Sequence, residues 1–108
     1  MLAGLGYEIV ARNFRTRYGE LDVVAADGDC LVFCEVRSRV GTPARGIDAA
    51  LESIGPGKRL QLRKMAREWF RAAEPGWRAT RSMRFDAVAV ALSRSGGVLA
   101  VRHVRDAF

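Results

Sequence analysis

Acidic side chains recur at alternate positions in two neighbouring stretches that have the pattern of β-strands. Residues Gly19–Ala26 alternate charged and apolar side chains over most of their length, and residues Cys30–Arg37 do so after a short polar break. Because successive side chains of a strand point to opposite faces, this alternation places every second residue on one face. A hairpin made from these strands therefore gathers charged residues on one face, namely Glu20, Asp22, Glu35 and Arg37.

The turn of this hairpin has two alternatives, because the Asp-Gly-Asp stretch at 27–29 offers two pairs of central residues. If residues 28 and 29 are central, Asp22 faces Glu35 and Glu20 faces Arg37. If residues 27 and 28 are central, Glu20 faces Glu35 and Asp22 becomes the diagonal neighbour. Both registers keep the acidic residues on one face.

Facing carboxylates predict either a bound cation or an ion-paired surface. Carboxylates directly across a strand pair have Cβ atoms about 5 Å apart and repel each other unless a cation lies between them. Mg²⁺ or Mn²⁺ would suit Asp22, Glu35 and Glu20, because a few carboxylate oxygens with water and substrate phosphate satisfy such an ion. The alternative is a solvated face neutralised by nearby arginines, with the opposite face forming the core through Leu21, Val23, Cys34 and Val36.

The net charge and the length of the chain limit the kinds of partner and the number of domains that we expect. Eighteen Lys and Arg against twelve Asp and Glu give a net charge of +6, which favours nucleic acid, an anionic membrane or an acidic protein as partner. No apolar run is long enough to cross a bilayer, and no basic stretch opens the chain as in a signal peptide. We expect one domain over residues 1–108, a cytoplasmic location, no membrane partner, and DNA as the partner; a homodimer stays open.

A long amphipathic helix supplies a basic surface. Residues Lys58–Ala73 repeat apolar side chains at helical spacing, and Pro56 suits a helix start. The face opposite these apolar side chains is basic, and we expect it either to be a solvated surface or to contact a phosphate backbone. The basic residues that we expect to bind nucleic acid are Lys58, Arg59, Arg63, Lys64 and Arg67.

The remaining segments predict a mixed α/β domain. Tyr7–Arg15 completes a three-stranded antiparallel meander with the two strands above, and Arg84–Leu92 and Val98–Val104 are further strands. Between meander and long helix, residues 38–57 hold many glycines and prolines and predict a loop with a short helix near 48–53. Residues 1–5 have the pattern of a helix end.

Other candidate ligands have ordinary structural interpretations. Cys30 and Cys34 lie on one face of a strand, too far apart for a disulfide, and are expected to be core residues without zinc. Asp86 lies in an apolar strand and is expected to pair with a basic neighbour. His103 is expected to be structural because the strand pattern places no acid near it, and Trp77 is expected to be exposed.

Several of these stretches together resemble a known family. The quoted segments cover most of the chain and read GYEIVARNFR from Gly6, GELDVVA from Gly19, VFCEVRSR from Val32, KRL from Lys58 and RFDAV from Arg84. As a set they resemble the YraN-like proteins, predicted nucleases akin to archaeal Holliday junction resolvases. The resemblance implies a restriction-endonuclease-like fold of the PD-(D/E)xK superfamily, with a mixed central sheet and flanking helices.

The same resemblance implies roles for particular residues. Asp22 and Glu35 match the two metal-binding acids of that superfamily, and Val36 would contribute its backbone carbonyl. Arg37 stands where lysine is usual; arginine binds a phosphate through two hydrogen bonds, but its pKa above about 12 prevents it from accepting a proton. The superfamily's resolvases also use a glutamate on the first helix, and this sequence has no acid before Glu8.

Three functions follow as hypotheses. The first is a metal-dependent nuclease that hydrolyses phosphodiester bonds in DNA, with branched and single-stranded DNA among the expected substrates, and with Asp22, Glu35 and Arg37 as catalytic residues. The second is a catalytically weak or inactive nucleic-acid-binding module of the same fold. The third is an interaction subunit whose basic face meets an acidic protein.

Overall fold

The computed structural model describes residues 6–73 and 82–108, which form five strands and two helices. Neither helix in these two ranges is long and apolar enough to cross a membrane. The elements in chain order are β1 (Glu8–Thr16), β2 (Gly19–Asp27), β3 (Cys30–Val40), α1 (Pro43–Glu52), α2 (Pro56–Ala72), β4 (Ser82–Leu92) and β5 (Val98–Val104).

The strands form a single mixed sheet in the order β1-β2-β3-β4-β5. The first three strands are an antiparallel meander, β4 runs parallel to β3, and β5 returns antiparallel to β4. A parallel neighbour needs a long connection, and here that connection contains α1 and α2. The predicted α/β class, the meander and the long helix are confirmed.

The hairpin between β2 and β3 adopts the first of the two predicted registers. Asp27 pairs with Cys30, so residues 28 and 29 are the central residues of the turn. Gly28 has a φ of +61°, a left-handed conformation that a residue without Cβ adopts at little cost. The ladder ends at the pair of Val23 with Cys34, so Asp22 and Glu35 are the next residues along the two strands.

Both helices pack on the same face of the sheet. Helix α2 packs its Trp69 edge-on against the ring of Phe33, which in turn stacks on Phe85 of β4. Helix α1 packs against the small side chains of β4 at Ala89 and Ala91. Residues 85, 89 and 91 alternate onto one face of β4, so this face carries the main core and both helices.

Close approach of α1 to the sheet depends on Gly46. A Cβ atom built at Gly46 would lie 2.6 Å from the Cβ atom of Ala91, a distance that real Cβ atoms do not reach. The helix begins where Thr42 accepts a hydrogen bond from the backbone N–H of Arg45. Residues 38–57 are therefore more regular than the predicted loop, because β3 extends to Val40 and α1 begins at Pro43.

The predicted core face of the hairpin is wrong in part. Val36 is 40% exposed, and Leu21 packs with Val24 and Phe33 under α2, although a strict alternation would put Leu21 and Val24 on opposite faces. The backbone pairing of β2 with β3 ends at Val23 and Cys34. Alternation therefore fails where the two strands part. The predictions for residues 1–5 and for Trp77 lie outside the described residues.

Candidate metal and phosphate site

Asp22 lies where β2 and β3 separate, and its carboxylate replaces a backbone interaction between them. The Oδ2 atom of Asp22 accepts a hydrogen bond of 2.9 Å from the backbone N–H of Val36. The bond gives the N–H of Val36, a residue 40% exposed, an acceptor beyond the end of the ladder. The side chain is thereby fixed beside Glu35, the neighbour of Val36 on β3.

Glu35 is a carboxylate inside the protein. It is 5% exposed and lies on the face that the helices cover. Burial, the hydrogen bond with Asp22 and the charge of Asp22 raise the pKa of Glu35 to about 7, against the opposing effect of Lys58 and Arg37. At neutral pH Glu35 is therefore protonated in an appreciable fraction of the molecules, which reduces its repulsion with Asp22.

Two cations flank Glu35, one at each of its oxygens. The Nε atom of Arg37 lies 3.7 Å from Oε1, and the Nζ atom of Lys58 lies 3.3 Å from Oε2. The predicted place of Lys58 on the outer face of α2 is wrong, because its side chain is only 22% exposed. The helical spacing indicates this position, because Lys58 precedes the buried Leu62 by four residues and so lies on the same, buried face of α2.

The described residues do not satisfy the full hydrogen-bonding capacity of the site. Glu35 Oε2 and Arg37 Nε are buried atoms for which the described residues provide no hydrogen-bond partner. An ion pair without a well-formed hydrogen bond leaves a buried oxygen with free lone pairs. Adjacent carboxylate oxygens of this kind fit a hard divalent cation such as Mg²⁺ or Mn²⁺. The residues that would hold the ion are Asp22 and Glu35.

The environment of Glu20 differs from that of Asp22 and Glu35. Its carboxylate lies 3.7 Å from the Nε atom of Arg15, the residue opposite it on β1, and its side chain is 41% exposed. This surface pair resembles the ion-paired alternative that the sequence left open. The role of Glu20 as a metal ligand stays a prediction.

The outer surface of α2 carries several cations beside aromatic rings. The guanidinium of Arg63 lies 5.1 Å from the ring centre of Phe85, and the Lys64 ammonium lies 5.5 Å from that of Tyr18. Arg59 lies over Phe108 at 5.5 Å, while Arg67 is exposed. These contacts hold part of the basic surface in place; its binding of nucleic acid stays a prediction.

A second polar cluster lies on the other face of the sheet, around the fully buried Asp86. Arg84 donates from Nε and Nη2 to the two oxygens of Asp86, at 2.8 and 3.0 Å. Arg84 also donates to Tyr7, the residue before β1, and to Asp27 of β2, so one guanidinium links three segments of the chain. The predicted ion pair of Asp86 with a basic neighbour is confirmed.

His103 belongs to this cluster, contrary to the expectation that no acid lies near it. Its Nε2 atom lies 2.7 Å from Oδ2 of Asp86. The two residues are on β4 and β5, which pair antiparallel with Val88 opposite His103, so Asp86 is a diagonal neighbour. Sequence patterns alone left the β4–β5 register undefined, and this contact was missed for that reason.

The same cluster brings Cys34 within metal-ligand distance of Asp86 and His103, with their ligand atoms all within 4.8 Å of one another. Burial, with the nearby charge of Asp86, raises the pKa of the Cys34 thiol to about 12, so the thiol is protonated. Burial alone would raise the pKa of Asp86, but hydrogen bonds from Arg84, from the backbone of Asp106 and from His103 hold that pKa below its usual range. The oxygens of Asp86 are already engaged, and the cluster is a structural ion pair.

Comparison with known proteins finds relatives that this chain matches over nearly its whole length. The profile of the uncharacterised protein family UPF0102 matches residues 1–90. A UPF0102 protein of Rhodococcus opacus (strain B4) is 41% identical over 107 residues, which cover 99% of this chain and 85% of the relative. UPF0102 protein Mmc1_3298 of Magnetococcus marinus is 44% identical over 108 residues, covering 100% of this chain and 82% of the relative. The chain therefore belongs to the uncharacterised protein family UPF0102.

Proposed function

We propose that this protein is a metal-dependent nuclease of restriction-endonuclease-like fold that hydrolyses phosphodiester bonds in DNA. The observation that carries the proposal is the pair formed by Asp22 and Glu35. A buried carboxylate beside a second acid is unfavourable in itself, as the raised pKa of Glu35 expresses. Protein interiors retain such pairs where a ligand or a reaction needs them.

The residues of the site have distinct tasks in this reaction. Asp22 and Glu35 would hold the divalent cation, which when bound neutralises phosphate charge and acidifies water. The hydrogen bond from Val36 N–H fixes the carboxylate of Asp22, so the two acids keep their separation as the site is loaded. Arg37 stabilises negative charge, because a guanidinium does not accept a proton at any physiological pH.

The chemistry is a hydrolysis and needs no other co-reactant. The oxygen of a water molecule forms a bond to phosphorus, and the bond between phosphorus and one ester oxygen breaks. The departing oxygen keeps the electron pair and takes up a proton, while the attacking water gives up a proton to solvent. The products are a phosphate monoester and a free hydroxyl group.

The charge distribution supports DNA as the substrate. The chain has a net charge of +6, and several of its cations lie on α2, the helix whose first turn contributes Lys58 to the acid site. Each Lys or Arg that contacts a phosphate of duplex DNA adds roughly 0.9 to the slope of log affinity against log salt. Affinity that does not change with salt would remove this support for a nucleic-acid substrate.

A cleavage assay with a matched variant tests the proposal. Wild type and Asp22→Asn are incubated with branched, nicked, single-stranded and duplex DNA in Mg²⁺ or Mn²⁺, and binding is measured in parallel. We expect cleavage by wild type, a loss of at least about 100-fold in the variant, and unchanged or tighter DNA binding by the variant. The proposal is wrong if wild type binds DNA but cleaves none of these substrates in either metal, and the protein would then be a binding module.

A second variant separates binding from chemistry. Replacing Arg63, Lys64 and Arg67 with alanine should weaken DNA binding equally for all sequences, because phosphate contacts carry no information about the bases. A loss of affinity that depends on the DNA sequence would contradict this use of the helix.

A further inference from the structure

The strongest further observation is a lysine at the acid pair. The ammonium of Lys58 lies 3.3 Å from Oε2 of Glu35, whereas the guanidinium of Arg37 lies 3.7 Å from Oε1. The carboxylate therefore has a separate cation at each oxygen. Of its eighteen basic residues the chain has only two lysines, Lys58 and Lys64, and one of them is in this site.

Lys58 occupies a position that is unfavourable for a cation unless a partner is present. Helix α2 begins at Pro56, so Lys58 lies in its first turn, where the unpaired N–H groups give the helix a partial positive charge. The first turn contains no acidic residue that would compensate. The compensating charge comes from β3 in the form of Glu35, and α2 is thereby joined to the acid site.

The contact between Lys58 and Glu35 is electrostatic rather than a directed hydrogen bond. Oε2 of Glu35 is buried and has no hydrogen-bond partner among the described residues, although Nζ lies close to it. An ammonium on a flexible four-carbon stem is able to turn toward another acceptor without moving the helix. Arg37 is bulkier and planar, and its own buried Nε atom is also without a hydrogen-bond partner in the described part of the chain.

We propose that Lys58 is the mobile cation of the active site. Without metal it neutralises Glu35; when Asp22 and Glu35 hold a divalent cation, it would turn away from Glu35 and donate a hydrogen bond to a non-bridging oxygen of the scissile phosphate. Arg37 stays at Oε1 and positions Glu35. This inference rests on the proposed nuclease function and assigns to it a catalytic residue on the helix that borders the site.

The test compares metal affinity with cleavage in Lys58→Met. At pH 8.5, Mn²⁺ affinity is measured by electron paramagnetic resonance, and single-turnover cleavage is measured at saturating protein. Removal of the competing ammonium should tighten Mn²⁺ binding roughly fivefold or more. Loss of the contact with the phosphate should slow cleavage at least about 100-fold. The two effects have opposite signs, which a variant that merely destabilises the fold does not produce.

Two control variants define the specificity of this result. Lys64→Met removes the other lysine, on the same helix and with the same change in net charge, and should leave Mn²⁺ affinity within about twofold of wild type. Lys58→Arg keeps the positive charge and should recover at least about tenfold of the lost cleavage rate, with Mn²⁺ affinity close to that of wild type.

The outcomes separate this inference from the proposed function. Wild type that neither binds Mn²⁺ nor cleaves DNA overturns both. Wild type that does both, combined with a Lys58→Met variant that cleaves normally or binds Mn²⁺ no more tightly than wild type, overturns the role of Lys58 alone.

Discussion

Replacing Glu35 with glutamine should remove a large pH-dependent contribution to stability. The pKa of Glu35 is about 7 in the folded protein, against an ordinary value of 4.5, because burial and the neighbouring Asp22 disfavour the charged form. Between these two pH values the folded state binds more protons than the unfolded state. The stability associated with Glu35 is therefore fully present below pH 4.5 and is lost as the pH rises through 7.

The size of the effect follows from the two pKa values. A change from 4.5 to about 7 corresponds to on the order of 3 kcal/mol, because each pKa unit is worth about 1.4 kcal/mol. The free energy of unfolding of Glu35→Gln, relative to wild type, should therefore rise by about this amount from pH 4.5 to pH 8.5. In a domain of this size the melting temperatures should diverge by roughly 10 °C over that range.

Urea unfolding of both proteins at a series of pH values measures this difference directly. Subtracting the wild-type curve cancels the titration of groups that the two proteins share. Glu20→Gln, which removes an acid from the exposed part of the same sheet, is the control for the loss of one charge. A difference between Glu35→Gln and wild type that does not change with pH would refute the description of Glu35 as a buried acid paired with Asp22.

Three further predictions concern the fold around the site. Arg84→Lys should lower the free energy of unfolding by about 3 kcal/mol or more in urea titrations, because Asp86 is fully buried and loses its two-point partner. Gly46→Ala should cost about 1 to 3 kcal/mol in the same assay, because its Cβ atom would overlap with β4, whereas Gly57→Ala meets no atom within 4 Å and should be neutral or stabilising. The Cys34 thiol should react with a disulfide reagent at pH 8 far more slowly in the folded protein than after unfolding, since its pKa is about 12; equal rates would contradict its burial.

Much of the fold follows from local sequence patterns. Alternation defined the strands of the meander, and the apolar stripe of Leu62, Met65 and Trp69 defined α2. The Asp-Gly-Asp turn limited the hairpin to two registers, of which one is observed. In each case the information lies within a few residues, where the backbone geometry of a strand or helix fixes the spacing.

The remaining features depend on contacts between distant segments. The alternation rule failed at Leu21 because β2 and β3 part beyond Val23, and Asp22 bonds to a backbone group there instead. The contact of His103 with Asp86 depends on the register of β4 and β5, which local patterns do not specify. Similarly, the place of Lys58 depends on how α2 is set over Glu35. The positions of these side chains are therefore set by packing between segments that are distant in the sequence.

The most direct measurement for the site is thermal unfolding of wild type and Asp22→Asn at pH 8, with and without Mn²⁺. At this pH Glu35 is largely ionised, so bound metal should stabilise the folded state by about 2.7 kcal/mol when its concentration is 100 times the dissociation constant. We expect Mn²⁺ to raise the melting temperature of wild type. Asp22→Asn should be at least as stable as wild type without metal, because one repelling charge is gone, and should gain less from metal. A wild-type melting temperature that does not change in millimolar Mn²⁺ would contradict a metal site formed by Asp22 and Glu35.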